Sequence, residues 1–133
     1  MPSVVADTHA VLWSLLQPQK LSTNALAAFD HARRLGDPVY VASISLVEAL
    51  YLEEKGKLQK GTLERLKSAL QGEDGGLVLA PLDSNIAEAI ERIPRDAIPD
   101  MPDRIIAATA LSLNLPLVTR DGKVRASGIT TIW

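Results

Sequence analysis

The chain has 133 residues, of which 47% are hydrophobic and 23% are charged, and it contains no cysteine. This length and balance are those of one globular domain, and they exclude a disordered tail, a fibrous repeat, a disulfide framework and a thiolate metal site. Fourteen basic and sixteen acidic residues give a formal net charge of −2, so net charge alone predicts no strong binding to nucleic acid. We predict a single domain over residues 1–133.

Two features of the sequence concern the compartment in which the protein works. The longest nearly apolar stretch, residues 10–16, is far shorter than the ~20 residues that cross a bilayer. No basic residue precedes the first apolar segment, which argues against a secretory signal. Together with the absence of cysteine, these features predict a cytoplasmic protein with no membrane partner.

Short β-branched runs alternate along the chain with longer segments of helical period. The runs predict five strands, at residues 3–6, 39–42, 77–80, 117–119 and 129–132. The segments predict six helices, at residues 8–16, 24–35, 44–55, 62–70, 84–93 and 103–113. Because this alternation is typical of a parallel sheet covered on both faces, we predict a three-layer α/β/α sandwich with a mainly parallel, roughly five-stranded sheet.

Capping residues mark the ends of several predicted helices. The residues interpreted as caps are Ser22, Gly36, Ser43, Ser45 and Asp83. Pro102 suits the first position of the last helix. Residues 72–76, with the sequence Gly-Glu-Asp-Gly-Gly, predict a mobile loop that is too short to link two domains.

Four acidic residues fall near the carboxyl ends of predicted strands, where ligands bind in open α/β sheets. Asp7 directly follows the first strand, and Asp121 follows the fourth in the turn sequence Thr-Arg-Asp-Gly. Glu48 lies about one turn into the helix after the second strand, and Asp103 lies in the first turn of the helix that leads to the fourth. We therefore expect these four carboxylates at one rim of the sheet.

Carboxylates that meet at one rim raise one another's pKa, and a hard cation relieves their repulsion. Mg²⁺, or Mn²⁺ in its place, prefers oxygen ligands and is usually held by a few carboxylates, waters and substrate phosphates. A cation held in this way activates a water for in-line attack on phosphorus. The acids therefore predict phosphate hydrolysis without a covalent intermediate.

Each acid also fits a structural role. Asp7 fits an N-cap, Glu48 fits a capping box with Ser45, and Asp121 fits a turn before glycine. Asp100, which precedes the last predicted helix, is interpreted as its N-cap. These roles leave open a non-catalytic module that binds a partner or dimerises through structural acids.

A phosphatase-like enzyme with an aspartyl nucleophile is a second alternative, although it needs an acid where His9 stands. His9 and His31 are given no role at the site. The five aromatic residues lie in apolar segments, so an exposed platform for base stacking is not predicted. The basic stretch 55–67 is interpreted as a solvated face, with a rim that guides phosphates as the alternative.

The order of motifs resembles that of PIN-domain proteins, and most closely the VapC-type toxins of bacterial and archaeal toxin–antitoxin pairs. The segments that carry the resemblance are residues 4–9 (VVADTH), 45–48 (SLVE), 99–107 (PDMPDRIIA) and 117–121 (LVTRD). Their most specific part is the Asp-x-x-Asp-Arg segment, followed after a helix and a strand by Thr-Arg-Asp.

This resemblance implies a metal-dependent ribonuclease that arrests translation by cutting RNA, that a cognate antitoxin holds silent and that is usually a homodimer. The metal-binding acids of the family fall on Asp7 and Asp103, with Glu48 and Asp121 completing a quartet around Mg²⁺. The family also carries basic side chains at the positions next to Asp103 and Asp121. These are Arg104 and Arg120, which are candidates for contacts with phosphate.

Overall fold

The computed structural model describes residues 2–72 and 76–133, so the centre of the predicted loop 72–76 lies outside the described residues. Five strands are found in the described part. They are β1 (Val4–Ala6), β2 (Val39–Ala42), β3 (Leu77–Ala80), β4 (Leu117–Val118) and β5 (Thr131–Ile132). All neighbouring strands are parallel, in the spatial order β3-β2-β1-β4-β5. The predicted parallel five-stranded sheet is confirmed, with β1, β4 and β5 shorter than expected.

Seven α-helices surround the sheet within the described residues. They are α1 (Thr8–Leu16), α2 (Thr23–Leu35), α3 (Ser43–Glu54), α4 (Thr62–Gln71), α5 (Ser84–Ala89), α6 (Met101–Leu113) and α7 (Gly122–Arg125). Short 3₁₀ helices follow α1 at Pro18–Lys20 and α5 at Ile90–Arg92. The six predicted helices are confirmed in outline, whereas α7 and the 3₁₀ turns are too short to show a helical period in the sequence.

Two apolar clusters, one on each face of the sheet, give the molecule its three layers. Successive strand residues point to opposite faces. One face buries Val4, Val39 and Val118 against α1, α2 and α4. The other buries Val5 and Leu117 against α5, α6 and α7. The structure thus confirms the predicted α/β/α sandwich. None of the helices in the described residues combines the length and the apolar character that a membrane span requires.

The sheet order reverses between β1 and β4. From β1 the chain builds outward through β2 and β3, and it then returns to add β4 and β5 on the other side. At such a reversal the connections after the two central strands part, which leaves a crevice at the carboxyl ends of the strands. The backbone N–H of Asp7 donates to the carbonyl of Val118 at 3.1 Å and fixes the end of β1 beside that of β4.

Aspartate and serine side chains begin most of the helices. The side-chain oxygens of Asp7, Ser22, Asp83, Asp100 and Asp121 accept hydrogen bonds from backbone N–H groups at 2.8–3.1 Å at the starts of α1, α2, α5, α6 and α7. Asp121 therefore begins a short helix where the sequence predicted only a turn. Gly36 ends α2 with a φ of 69°, as expected for a left-handed C-cap.

The prediction that Ser43 and Ser45 are helix caps is wrong. The N-cap position of α3 is Ala42, which makes no side-chain cap. The hydroxyl of Ser43 instead accepts a hydrogen bond from the backbone N–H of Leu82 at 3.1 Å. Ser45 is fully buried, and its hydroxyl is hydrogen-bonded to that of Thr8 in α1.

Candidate functional site

A cleft of about 570 Å³ opens where β1 and β4 end. Five acidic side chains line it: Asp7, Glu48, Asp100, Asp103 and Asp121. The other lining residues are Thr8, His9, Trp13 and Arg120. An adjoining cleft of about 460 Å³ shares three of the acids and adds Lys123. The structure therefore brings together the four acids singled out in the sequence, and it adds Asp100, which both caps α6 and lines the cleft.

Three of these carboxyls lie in surroundings that favour their protonated form. Burial is the largest cause that raises the pKa of Asp7 and the pKa of Glu48. Burial, followed by the charges of Asp100 and Asp121, raises the pKa of Asp103 to about 7. Carboxyls with raised pKa values that share a cleft are typical of functional sites.

No basic side chain forms a salt bridge with these acids in the part of the chain that the structure describes. The salt bridges found there are Arg33 with Asp30 and Lys67 with Glu64, both on exposed helix surfaces. Crowded carboxylates without basic partners are the donor set that suits a hard divalent cation. The residues present therefore fit the ion that the sequence predicted.

The cleft is open and does not form a closed metal cage. Within residues 2–72 and 76–133, no three Asp, Glu or His side chains converge closely enough to hold an ion by themselves. Mg²⁺ usually keeps several waters and binds through one or two carboxylates together with substrate phosphates. The arrangement thus suits an exchangeable catalytic ion and does not suit a structural one.

Two buried hydroxyls hold Glu48 in the cleft. Oγ1 of Thr8 lies 2.6 Å from Oε1 of Glu48 and 2.8 Å from Oγ of Ser45. Because a carboxylate only accepts hydrogen bonds, Thr8 gives its one proton to Glu48, and the Ser45 hydroxyl donates to Thr8. The bond from Thr8 lowers the pKa of Glu48 and offsets part of the effect of burial. Ser45 therefore supports Glu48 across helices, and the capping-box interpretation is wrong.

Thr119 connects two of the acids. Its hydroxyl oxygen accepts a hydrogen bond from the backbone N–H of Asp121 at 3.1 Å. A side-chain hydrogen bond from Thr119 also lowers the pKa of Asp7, against the larger effect of burial. Thr8 and Thr119 were not identified from the sequence, and the only signal for them was their position next to the acidic motifs.

The Arg104 side chain is directed away from the acids. Its Nε donates to the Ile93 carbonyl at 3.0 Å, and its Nη2 donates to the carbonyls of Ile93 and Ile90 at 2.7 and 3.2 Å. Arg104 lines neither acidic cleft. The guanidinium fastens α6 to the 3₁₀ turn after α5, so we do not carry Arg104 forward as a phosphate contact.

Replacing Arg104 by Gln should lower the free energy of unfolding by about 1–3 kcal/mol, because it removes the guanidinium donors from the carbonyls of Ile90 and Ile93. Mn²⁺ affinity should change little. Urea denaturation and Mn²⁺ titration measure the two effects. Unchanged stability would show that these hydrogen bonds do not hold Arg104 in place, and it would return the residue to the phosphate-binding candidates.

Helix α1 supplies two further cleft residues, His9 and Trp13. Their ring centroids are 5.6 Å apart, and Cζ of Arg120 lies 5.9 Å from the Trp13 ring centroid. The interpretation that the aromatic residues stay in apolar surroundings is therefore wrong for Trp13. The signal in the sequence was the spacing of four residues between His9 and Trp13, which places them on one face of a helix.

A family model and a related protein of known name match nearly the whole chain. The family model described as the PIN domain matches residues 4–127. The chain is also 31% identical over 126 residues to ribonuclease VapC22 of Mycobacterium tuberculosis, an alignment that covers 95% of this chain and 92% of that protein.

Solved structures share the fold at low sequence identity. VapBC2 from Rickettsia felis, bound to a DNA fragment from its promoter, matches with a TM-score of 0.72 and 15% identity, covering 97% of this chain and 96% of that one. A toxin–antitoxin complex from Klebsiella pneumoniae matches with a TM-score of 0.66 and 19% identity, covering 98% and 96%. FitAcB from Neisseria gonorrhoeae matches with a TM-score of 0.60 and 23% identity, covering 96% and 95%. These likenesses confirm the three-layer fold.

Proposed function

The chain belongs to the PIN domain family, and from this we propose that it is a metal-dependent endoribonuclease, the toxin of a toxin–antitoxin pair, acting as a single domain over residues 1–133. The observation that carries the proposed activity is the cleft at the ends of β1 and β4, where five acids meet without a salt bridge in the described residues. The likeness over nearly the whole chain to a protein named ribonuclease supports RNA as the substrate.

We assign Asp7 and Asp103 as the principal ligands of Mg²⁺ or Mn²⁺, with Glu48 and Asp121 as further ligands or as groups that orient water. A bound ion supplies a water of lowered pKa and offsets negative charge on the phosphate. Asp103, with a pKa of about 7, gives up its proton readily near neutral pH and so becomes a ligand without a large proton penalty.

Glu48 is held in position by Thr8 and has a second function in this proposal. Thr8 donates to Oε1 of Glu48, which leaves Oε2 to accept a hydrogen bond from a water in the cleft. That water would give a proton to Glu48 as its oxygen forms the new bond to phosphorus. The bond to the leaving sugar oxygen breaks, that oxygen takes a proton from solvent, and no covalent intermediate is formed. Arg120, exposed at the rim of the cleft, is the remaining candidate for a contact with phosphate.

The alternative with structural acids has one observation in its favour. Asp7, Asp100 and Asp121 each accept a helix-capping hydrogen bond. A cap uses one carboxylate oxygen and leaves the other for a ligand, so capping is compatible with metal binding. The phosphatase-like alternative gains nothing from the structure, because His9 stands where that chemistry needs an acid.

We also propose a cognate antitoxin and a second copy of this chain as protein partners. The Klebsiella pneumoniae relative is itself described as a toxin–antitoxin complex, which supports an antitoxin. Exposed apolar side chains on α3 support a homodimer: Val47, Leu50 and Tyr51 are 47%, 37% and 57% exposed.

Cleavage of a folded RNA by the purified chain tests this function. We expect cutting in Mg²⁺ and in Mn²⁺ and none in EDTA, because water activation depends on the ion. The chain should first be unfolded and refolded, so that any antitoxin that copurifies is removed. Equal cutting in EDTA would contradict metal dependence. A folded chain that binds no metal and cuts no RNA would favour the binding-module alternative.

A further inference from the structure

A second cavity, of about 290 Å³, adjoins the acidic cleft along α1. His9 and Trp13 line both of them and form the boundary between the two. The rest of the second cavity is lined mainly by leucine side chains, and its charged members are Lys20 and Lys57. The acidic cleft therefore continues into a smaller cavity in which the only charged side chains are basic.

The indole ring of Trp13 holds one cation on each side of this boundary. Nζ of Lys20 lies over the ring at 5.8 Å from its centroid, and Cζ of Arg120 lies over it at 5.9 Å. Separations of about 6 Å or less are those of attractive cation–π contacts. Lys20 lines the second cavity, whereas Arg120 lines the acidic cleft. One aromatic ring thus positions a basic group in each cavity.

These basic groups are available to an anionic ligand. Lys20, Lys57 and Arg120 are exposed, and none forms a salt bridge within residues 2–72 and 76–133. Sites for single-stranded nucleic acid contain basic side chains that follow the backbone. The second cavity has two such side chains, and its volume is close to the ~300 Å³ lower end of small-ligand pockets, which suits one nucleotide.

We propose that an RNA strand with one phosphate in the acidic cleft continues across Trp13 into the second cavity, where Lys20 and Lys57 bind the next phosphates. This inference rests on the proposed function, and it adds the path of the strand and the single-stranded form of the substrate at this point. Trp13 acts as a positioning residue, since it holds Lys20 and Arg120 through its ring.

Replacing Lys20 and Lys57 together by Gln should weaken RNA binding and its dependence on salt. A labelled single-stranded RNA of ten nucleotides is titrated in EDTA at several KCl concentrations, with fluorescence anisotropy as the readout. For a single strand, each lost phosphate contact makes the negative slope of log K against log salt shallower by about 0.7, so the slope of the double variant should be shallower by about 1.4. Replacing Arg34 and Arg95 by Gln is the control with the same charge change, since both are exposed and line neither cavity.

Tryptophan fluorescence provides a second readout, because the chain has two tryptophans. Trp133→Phe leaves Trp13 as the reporter, and its emission should change when the RNA binds. Urea unfolding midpoints for all variants separate loss of binding from loss of fold.

RNA binding in EDTA is measured without cleavage. The proposed nuclease activity and the proposed strand path can therefore each be contradicted without the other. A reduced slope in the Lys20 and Lys57 variant, in a chain that never cuts RNA, would overturn the nuclease and keep the strand path. Equal slopes for the two double variants would overturn the strand path even if cleavage depends on metal. The leucine-lined cavity would then be better explained as a surface for a protein partner.

Discussion

Replacing Asp7 by Asn should lower the rate of RNA cleavage at least about 10³-fold, which corresponds to about 4 kcal/mol of transition-state stabilisation. Asn has nearly the same size, and its side-chain oxygen can still accept the capping hydrogen bond that Asp7 receives from the N–H of Ala10 at 2.8 Å. The substitution removes the negative charge and hence the proposed metal ligand. Single-turnover cleavage and circular dichroism measure the loss of rate and the retained fold.

The matched control for this variant is Asp83→Asn. Asp83 caps α5 through the N–H of Ile86 at 2.9 Å, and it lines neither acidic cleft. We expect it to cleave RNA at the wild-type rate. In the absence of metal, Asp7→Asn should be at least as stable as the wild type, because burial disfavours the charged form of Asp7. Retained cleavage by Asp7→Asn would contradict its role as a ligand, and loss of the fold would support the alternative with structural acids.

The second large effect concerns pH. Without metal, the carboxyls of the cleft should make the chain less stable as the pH rises from about 4 to about 7. Burial is the main cause that raises the pKa of Asp103 from 3.8 to about 7, and the pKa values of Asp7 and Glu48 shift in the same direction. A carboxyl with a raised pKa binds its proton more tightly in the folded state. Its contribution is complete below the unfolded pKa, and it is lost as the pH passes through the folded pKa.

Asp103→Asn isolates this contribution. In EDTA at pH 8 the variant should have a Tm a few degrees above that of the wild type, a gain on the order of 1 kcal/mol once partial exposure of the carboxyl is allowed for. The variant also loses the favourable interaction of Asp103 with the first turn of α6, worth about 0.3–1 kcal/mol, and this limits the gain. At about pH 3.5 the two chains should have similar stability, because Asp103 is then mostly protonated in both the folded and the unfolded state.

Magnesium should reverse the order of these two chains at pH 8. Binding to the folded state alone raises the Tm of the wild type, and loss of a ligand should make the rise much smaller in Asp103→Asn. Thermal unfolding at both pH values, with and without Mg²⁺, measures all four conditions, and Asp83→Asn again serves as the control. A variant that is less stable than the wild type at pH 8 in EDTA would show that the ionised Asp103 carboxylate does not destabilise the fold.

The sheet could be predicted because its strands are short β-branched runs, in which strand propensity and burial require the same residue types. The bounds of β2 and β3 were predicted without error. β5 is shorter than the predicted 129–132, because β4 has only two residues and pairs only Leu117 with Thr131 and Val118 with Ile132. The length of an edge strand is set by its neighbour, which the local sequence does not encode.

The acidic cleft could be predicted because the ends of parallel strands meet at one edge of the sheet. The supporting contacts could not, since they depend on the direction of side chains from distant parts of the chain. Ser45 reaches Glu48 through Thr8, and Arg104 donates to a carbonyl of the 3₁₀ turn that follows α5. Local patterns identified the acids that reach the site, and tertiary packing decides what the other side chains contact.

The proposed metal site can be located directly by diffraction. Crystals of the wild-type chain and of Asp7→Asn would be soaked in Mn²⁺, and anomalous scattering would be recorded above and below the manganese absorption edge. We predict an anomalous peak in the cleft, with Asp7 and Asp103 as ligands, and no such peak in Asp7→Asn. A wild-type crystal with no peak in the cleft, or an equal peak in both crystals, would contradict the assignment of these acids as a catalytic metal centre.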